Sequence, residues 1–129
     1  MIAGFKNSMQ RCNGVDIALH RAGKGKPLLL LHGYPQNHMC WERVAPILAE
    51  NHDVIIPDLR GYGDSSAPAN DSNNTTYSKR TMAQDMADLL NALEIPCTDV
   101  LGHDRGARVS YRLALDHPER VEKLGIIEI

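Results

Sequence analysis

The sequence predicts an α/β fold in which a mostly parallel, doubly wound sheet follows an N-terminal β-hairpin. Four short apolar runs, at residues 28–31, 54–56, 100–101 and 124–127, have the continuity of strands that are covered on both faces. Segments with a helical spacing of apolar residues lie between these runs. Strands that alternate with helices pair in parallel through right-handed crossovers. With 129 residues, the chain has room for one such domain.

The first two strands are predicted at residues 5–12 and 15–21. Asn13 and Gly14 between them are a strong signal for a two-residue hairpin turn, because both residue types accept the positive φ that such a turn needs. Residues 23–27 are rich in glycine and lysine, but they lack the spacing of a phosphate-binding loop and the helix that should follow it. We therefore expect no phosphate site there.

Three helices are predicted between the later strands. A short one lies near residues 44–48, and a longer one follows Ser78, whose hydroxyl suits an N-cap. Between them, residues 64–76 are polar and irregular, which indicates a surface loop. The third helix is expected to end before Pro118. The apolar positions at helical spacing are Val44, Ile47 and Leu48, then Met82, Met86, Leu89, Leu90 and Leu93, then Val109 and Leu113.

Composition excludes several classes of function. The net charge of -2 lacks the basic excess of a nucleic-acid-binding protein. No apolar run approaches the roughly 20 residues that a membrane span needs, and the N-terminus lacks the apolar core of a signal peptide. The 3 cysteines form no Cys-x-x-Cys pair, so we expect neither a zinc site nor a disulfide framework. A cytoplasmic chain with reduced cysteines is the expectation.

The sharpest chemical signal is the segment Gly102-His103-Asp104-Arg105-Gly106, which follows an apolar strand and opens a helix. Gly-x-Asp-x-Gly in this context matches a nucleophile elbow with Asp in the place of Ser. The elbow lifts the middle side chain to a helix N-terminus, where the helix dipole favours an ionised carboxylate. Such a carboxylate is a usable nucleophile. The alternative is that Asp104 is only an N-cap and that the glycines are only turn residues.

Two other loops support the same interpretation. The segment His-Gly-Tyr-Pro at residues 32–35 follows the first parallel strand. In folds with a nucleophile elbow, the loop at this place supplies one backbone N–H group of the oxyanion hole. The residue after the nucleophile gives the other, so the backbone N–H groups of Tyr34 and Arg105 are the candidates. We expect the side chain of His32 to be structural and to bond within its own loop. In the loop after the next strand, Asp58 and Arg60 are interpreted as hydrogen-bonding support.

Together, these segments resemble an α/β-hydrolase with an Asp nucleophile. The segments at residues 32–37, 58–63, 102–108 and 114–118 resemble those of haloacetate (fluoroacetate) dehalogenases, and the resemblance runs from about the second strand to the end of the chain. It implies that the Asp104 carboxylate attacks the carbon that bears the halogen in a small anionic 2-haloacid, and that an ester forms as the halide leaves. It also implies that no metal or organic cofactor is required.

The pair Arg105 and Arg108 also has a physical interpretation. At a spacing of i, i+3 the two side chains share one helix face beside Asp104. Their guanidinium groups would bind a substrate carboxylate and lower the pKa of Asp104. In the related haloalkane dehalogenases and epoxide hydrolases a Trp commonly follows the nucleophile, whereas an Arg suits an anionic substrate. The alternative is that Arg108 faces solvent and Arg105 pairs with an acid. Arg112, one turn further on, is expected at the surface.

The family pattern contains parts that these 129 residues lack. It needs a catalytic His after the last strand and a cap domain that binds the halide. The 6 histidines do not fit that role, since His103 should project away from the nucleophile. Glu128 resembles in its placement the acid that orients the catalytic His, though that acid is usually Asp; an exposed Glu is the alternative. We therefore expect residues 1–129 to be the N-terminal part of a single hydrolase core domain, without the cap and the last strands.

Three functional hypotheses remain at this point. The first is a haloacetate dehalogenase-type hydrolase. The second is an epoxide hydrolase, which uses the same Asp nucleophile on a neutral substrate, or another α/β-hydrolase. The third is an inactive fragment or an interaction module. Because residues 124–127 would form an apolar sheet edge, we also expect self-association or a requirement for a missing C-terminal half.

Overall fold

The computed structural model describes residues 2–129, which form one six-stranded sheet with helices on both faces. Every strand and helix predicted from the sequence is present, with bounds that differ from the prediction by a few residues. The strands are β1 (Lys6–Cys12), β2 (Val15–Ala22), β3 (Lys26–Leu31), β4 (His52–Pro57), β5 (Thr98–His103) and β6 (Val121–Ile127), and the α-helices are α1 (Ala45–Leu48), α2 (Lys79–Ala92) and α3 (Arg105–Asp116).

The strand order in the sheet is β1-β2-β4-β3-β5-β6. β1 pairs with β2, and β2 with β4, in antiparallel fashion, whereas the remaining neighbours are parallel. The hairpin turn contains Asn13 at φ 50° and Gly14 at φ 80°, as a two-residue turn of this hand requires. The prediction of a mostly parallel, doubly wound sheet after an N-terminal hairpin is confirmed.

The two faces of β3 show how the sheet is covered. Leu29 and Leu31 point into the core cluster that contains the buried side of α2 and α3. Leu28 and Leu30 point into the opposite cluster, with Trp41 and the α1 region. Burial on both faces explains why the strand is a continuous apolar run rather than an alternating pattern.

The helices agree with their sequence signals except at α1. The Ser78 hydroxyl accepts a hydrogen bond from the Thr81 N–H over 3.1 Å, which is the predicted N-cap of α2. α1 is a single turn, and Val44 and Ile47, predicted to form its apolar face, are 44% and 64% exposed. One turn presents too few side chains for an apolar stripe. The buried side chains of this region are those of Ala45 and Trp41 instead.

The parallel strands end at a common edge of the sheet, and the loops that follow β3, β4 and β5 meet there. This edge carries the motifs found in the sequence. At the side of the sheet, β6 has only one neighbour among residues 2–129, and its Leu124, Ile126 and Ile127 are 39%, 39% and 40% exposed. Among the same residues, no helix combines the length and apolarity that crossing a bilayer would take.

Candidate active site

The elbow between β5 and α3 holds Asp104 in an unusual backbone conformation. Asp104 has φ 56° and ψ -119°, a region that costs free energy for any residue with a Cβ. Its side chain makes no capping hydrogen bond to α3. The alternative of a simple N-cap therefore does not describe this residue, and its carboxylate is left to face the loop after β3.

Close packing of strand and helix explains the two elbow glycines. A Cβ on Gly102 would lie 2.3 Å from the Ser110 Oγ, and a Cβ on Gly106 would lie 2.3 Å from the carbonyl oxygens of both Leu31 and His32. Neither position has room for a side chain, because the obstacles include backbone atoms on both sides. Glycine at both positions is therefore what lets β5 and α3 pack closely around the elbow.

The loop after β3 brings a backbone donor to the Asp104 carboxylate. The Tyr34 N–H donates to Asp104 Oδ2 over 3.0 Å. Gly33 allows this approach, since a Cβ there would lie 2.4 Å from the Asp104 Cβ. The N–H groups of Tyr34 and, to a lesser extent, Arg105 hold the pKa of Asp104 below its usual value. Of the two predicted oxyanion-hole donors, the Tyr34 N–H thus contacts the predicted nucleophile directly, and the Arg105 N–H lies close enough to lower its pKa.

His32 and His103 are both engaged away from the nucleophile. His32 is buried, with its Nδ1 3.0 Å from the Gly33 oxygen and its Nε2 accepting from the Leu59 N–H over 3.0 Å. Burial is the main cause that lowers the pKa of His32, so the ring is neutral and ties two loops together. The His103 Nδ1 lies 3.0 Å from the Gln36 Oε1. His32 is therefore bonded as a structural histidine, and the contact of His103 is with Gln36 and not with the Asp104 carboxylate.

Two arginines follow Asp104 without an acidic partner. The Arg105 guanidinium lies 4.4 Å from the centroid of the Tyr34 ring and donates to the Tyr62 hydroxyl over 3.3 Å. Arg108 is exposed. Within residues 2–129, neither forms an ion pair. Arg112 differs from the expectation of a surface residue, because it is half-buried and bonds to Asp116 over 2.8 Å.

Sequence reasoning missed a third cation. Lys79, the first residue of α2, lines a cavity of about 270 Å³ that Arg105 also lines. Burial, followed by the charges of Arg105 and Arg108, lowers the pKa of Lys79. Its position directly after the predicted cap Ser78 was the available signal, but only the fold brings this helix start beside the elbow. The lining side chains are Tyr34, Tyr62, Tyr77, Lys79, Met82 and Arg105, with Gly61.

The loop after β4 contains charged residues that are fully bonded. Asp58 Oδ1 accepts from the His38 N–H over 2.7 Å and lies 2.9 Å from the His38 Nδ1, while Oδ2 accepts from the Asp64 N–H over 3.0 Å. Arg60 forms two hydrogen bonds of 2.7 Å with Asp85, and both side chains are buried. These contacts agree with the interpretation of Asp58 and Arg60 as structural support.

One group of residues in the described part of the chain has metal-binding side chains. Suitable atoms of His20, His38 and Asp58 lie within 4.8 Å of one another. The two imidazole rings are stacked, with centroids 3.7 Å apart and planes at 23°. The contacts of His38 with Asp58, and of His20 Nδ1 with Asn7 Oδ1 at 2.6 Å, are those of a buried hydrogen-bonded cluster.

Glu128 follows β6, and the end of this strand lies beside the elbow in space. The Asp104 N–H donates to the Ile127 oxygen over 3.0 Å, which places the end of β6 against the elbow backbone. The Glu128 side chain is exposed, and within residues 2–129 it forms no ion pair. Its role as an acid partner remains a prediction.

Residues 26–129 match the family described as alpha/beta hydrolase fold. The chain belongs to the α/β-hydrolase family. It is 43% identical over 129 residues to the fluoroacetate dehalogenase of Burkholderia sp., which covers 100% of this chain and 42% of that relative. It is 44% identical over 117 residues to the soluble epoxide hydrolase of Corynebacterium sp. (strain C12), with 91% of this chain and 39% of the relative covered.

Solved structures agree with this membership of the α/β-hydrolase family. A candidate alpha/beta hydrolase from Nostoc sp PCC 7120 superposes with a TM-score of 0.97 at 51% identity, covering 100% of this chain and 44% of that one. An epoxide hydrolase from Vigna radiata superposes with a TM-score of 0.90 at 27% identity, covering 98% of this chain and 40% of that one. The chain thus spans about two fifths of the length of its relatives.

Proposed function

We propose that the protein containing this chain is a haloacetate dehalogenase-type hydrolase, which converts a small 2-haloacid such as haloacetate into a hydroxy acid and halide. The observation that carries the proposal is the pairing of an ionised Asp104 at the elbow with Arg105 and Arg108, which have no acidic partner within residues 2–129. An excess of cations beside an anionic nucleophile suits an anionic substrate, because the substrate charge would otherwise be repelled.

In the proposed first step, Asp104 attacks the carbon that bears the halogen. A carboxylate oxygen forms a C–O bond as the carbon–halogen bond breaks, and the halide leaves with the bonding electron pair. Arg105 and Arg108 hold the substrate carboxylate and so orient the carbon toward the nucleophile. The product of this step is an ester of Asp104.

In the second step, water attacks the carbonyl carbon of the Asp104 ester. We propose that the backbone N–H groups of Tyr34 and Arg105 stabilise the oxyanion of the tetrahedral intermediate. This is supported by the 3.0 Å hydrogen bond from the Tyr34 N–H to Asp104 Oδ2 and by the effect of both N–H groups, which lower the pKa of Asp104. The water needs a general base, and we propose that a histidine in the remaining part of the protein supplies it. Glu128 is the proposed partner of that histidine. No metal or organic cofactor takes part in the proposed steps.

The second candidate is an epoxide hydrolase. It is favoured by the 44% identity to the Corynebacterium soluble epoxide hydrolase. The same Asp104 would then open a neutral epoxide, and removal of the arginine charges would not weaken substrate binding.

Alkylation of the 129-residue chain by chloroacetate tests the nucleophile, because the first step needs no general base. We expect one carboxymethyl group on Asp104, released by hydroxylamine because it is an ester. Adducts on the free thiols Cys12, Cys40 and Cys97 would be stable thioethers, which hydroxylamine does not release. Peptide mapping locates each adduct.

Asp104→Asn should remove the hydroxylamine-labile adduct, while Asp64→Asn, at an exposed aspartate, should keep it. In the whole protein, Asp104→Asn should abolish halide release, with deamidation excluded by mass spectrometry. An ester that persists on another residue in the Asp104→Asn chain would refute the assignment. A chain that is never esterified would favour the inactive fragment or interaction module.

The exposed apolar edge at β6 leads to a further proposal about partners. We propose that this edge pairs with a second copy of the chain or with the C-terminal part of the hydrolase core, because an uncovered strand with exposed apolar side chains invites pairing. Size-exclusion chromatography with light scattering should show self-association of the isolated chain. A stable monomer at all concentrations would contradict this expectation.

A further inference from the structure

The cavity beside the elbow brings together the starts of two helices. Lys79 begins α2 and Arg105 begins α3, and both side chains line the same cavity of about 270 Å³. The rest of its wall is largely aromatic or apolar, from three tyrosines and Met82. Arg108 does not line this cavity, so Lys79 is the cation that shares it with Arg105.

The charges around the cavity are unbalanced. Neither Lys79 nor Arg105 forms an ion pair within residues 2–129. After burial, the charge of Arg105 is the next cause that lowers the pKa of Lys79, and Asp104 is the acid that favours the charged form of Lys79. Two neighbouring cations against one carboxylate leave a net positive site, which a bound anion would neutralise.

Arg105 is held in position for such an anion. Its guanidinium packs over the Tyr34 ring, 4.4 Å from the ring centroid, and donates one hydrogen bond to the Tyr62 hydroxyl over 3.3 Å. A guanidinium has five N–H donors in a fixed plane, so most of them remain available for a ligand. Lys79 adds a compact charge at the other helix start, and half-burial of its stem limits the positions that this charge can take.

We propose that Lys79 and Arg105 form a carboxylate subsite in this cavity, and that Lys79 is a residue that makes the site select anionic over neutral ligands. The proposal rests on the proposed function for its choice of a carboxylate substrate. It adds Lys79 to Arg105 and Arg108 as a third residue that binds and positions the substrate's anionic end, while Asp104 supplies the reacting atom.

Titration of the 129-residue chain with acetate tests the subsite directly, because acetate carries no leaving group. Chemical-shift changes in NMR spectra give the dissociation constant, and acetamide serves as a neutral ligand of the same shape. We expect acetate to bind and acetamide to bind much more weakly. Lys79→Met should raise the dissociation constant for acetate by about ten- to hundred-fold, as the loss of a charge-assisted hydrogen bond does.

Arg80→Met is the matched control, since Arg80 is the next residue in the helix but is exposed and lines no part of this cavity. It should leave acetate binding unchanged. Equal acetate affinities in the Lys79→Met and wild-type chains, or no acetate binding by the wild type, would overturn the proposal. Loss of affinity in Arg80→Met to the same degree would also overturn it, because it would indicate a diffuse surface charge.

The pH dependence separates Lys79 from its neighbours, which are Arg105, Arg108, Asp104 and the cavity tyrosines. As the pH rises, the wild-type chain should lose affinity for acetate because Lys79 loses its charge. The midpoint of this loss should lie below about pH 10.4, the pKa of an ordinary lysine. Lys79→Arg should bind acetate but lose this fall, because its charge persists. If acetate affinity had the same pH dependence in Lys79→Arg and in the wild-type chain, the role of Lys79 would be overturned. If the proposed function alone is wrong, acetate still binds through Lys79 although chloroacetate leaves Asp104 unmodified.

Discussion

The loop after β4 and the elbow after β5 both present an aspartate and an arginine at the same edge of the sheet, but they treat these charges differently. Asp58 and Arg60 are buried, and each is matched by several hydrogen bonds. Asp104 and Arg105 lie where solvent and ligands reach them, and Arg105 has no acidic partner within residues 2–129.

The difference shows what separates support from chemistry in this fold. A buried charge must be neutralised, and once it is neutralised it holds its loop in one conformation. A charge that is left unmatched at a rim is free to act on a substrate. The loop after β4, whose charges are hydrogen-bonded, therefore supports the structure, whereas the elbow after β5 presents the charges that can act on a substrate.

The largest contrast is expected from matched arginine substitutions in the two loops. Arg60→Met should lower the free energy of unfolding by about 3–5 kcal/mol at neutral pH, because Asp85 is left as an unpaired buried carboxylate. Arg105→Met should change it by less than about 0.5 kcal/mol. Urea unfolding followed by circular dichroism measures both values. Similar losses of stability in the two variants would break the comparison.

A smaller effect is expected on affinity at the elbow. Arg108→Leu in the whole protein should raise the dissociation constant for a haloacetate by roughly ten- to hundred-fold, since one charge-assisted contact to the carboxylate is lost. The Asp104→Asn background prevents turnover during the titration. Unchanged binding would argue against a carboxylate site and for the neutral substrate of an epoxide hydrolase.

The smallest effect concerns the pH dependence of the nucleophile. Because the pKa of Asp104 lies below its usual 3.8, its alkylation rate should fall to half of its neutral-pH value only below pH 3.8. Arg105→Met should move the decline upward only slightly, since the Tyr34 N–H is the largest cause of the lowered pKa. Initial rates of chloroacetate labelling measure the profile. A rate that is already halved at or above pH 3.8 would contradict a lowered pKa.

Local features of the fold were predictable because their causes are local. The Asn13-Gly14 turn, the Ser78 cap and the elbow glycines each depend on the backbone conformation within a few residues. Val44 and Ile47 were misleading for the opposite reason. Their spacing is helical, but whether it becomes an apolar face depends on how much sheet lies beside it.

The remaining features depend on contacts between distant segments. Arg60 meets Asp85 across 25 positions, and Lys79 shares a cavity with Arg105 because α2 and α3 pack on the same face of the sheet. Single residues gave no sign of these pairings. The sequence therefore indicated Asp104 and its backbone donors, but not the cation that faces it from another helix.

The hydrogen bond from the Asp104 N–H to the Ile127 oxygen links the elbow to the outermost strand of the sheet. Fraying of β6 would expose this amide proton to solvent, so its hydrogen-exchange rate reports on the strand as well as on the elbow. A segment that pairs with the free side of β6 should slow that exchange without touching the nucleophile. Assembly at the sheet edge and order at the elbow would then rise and fall together.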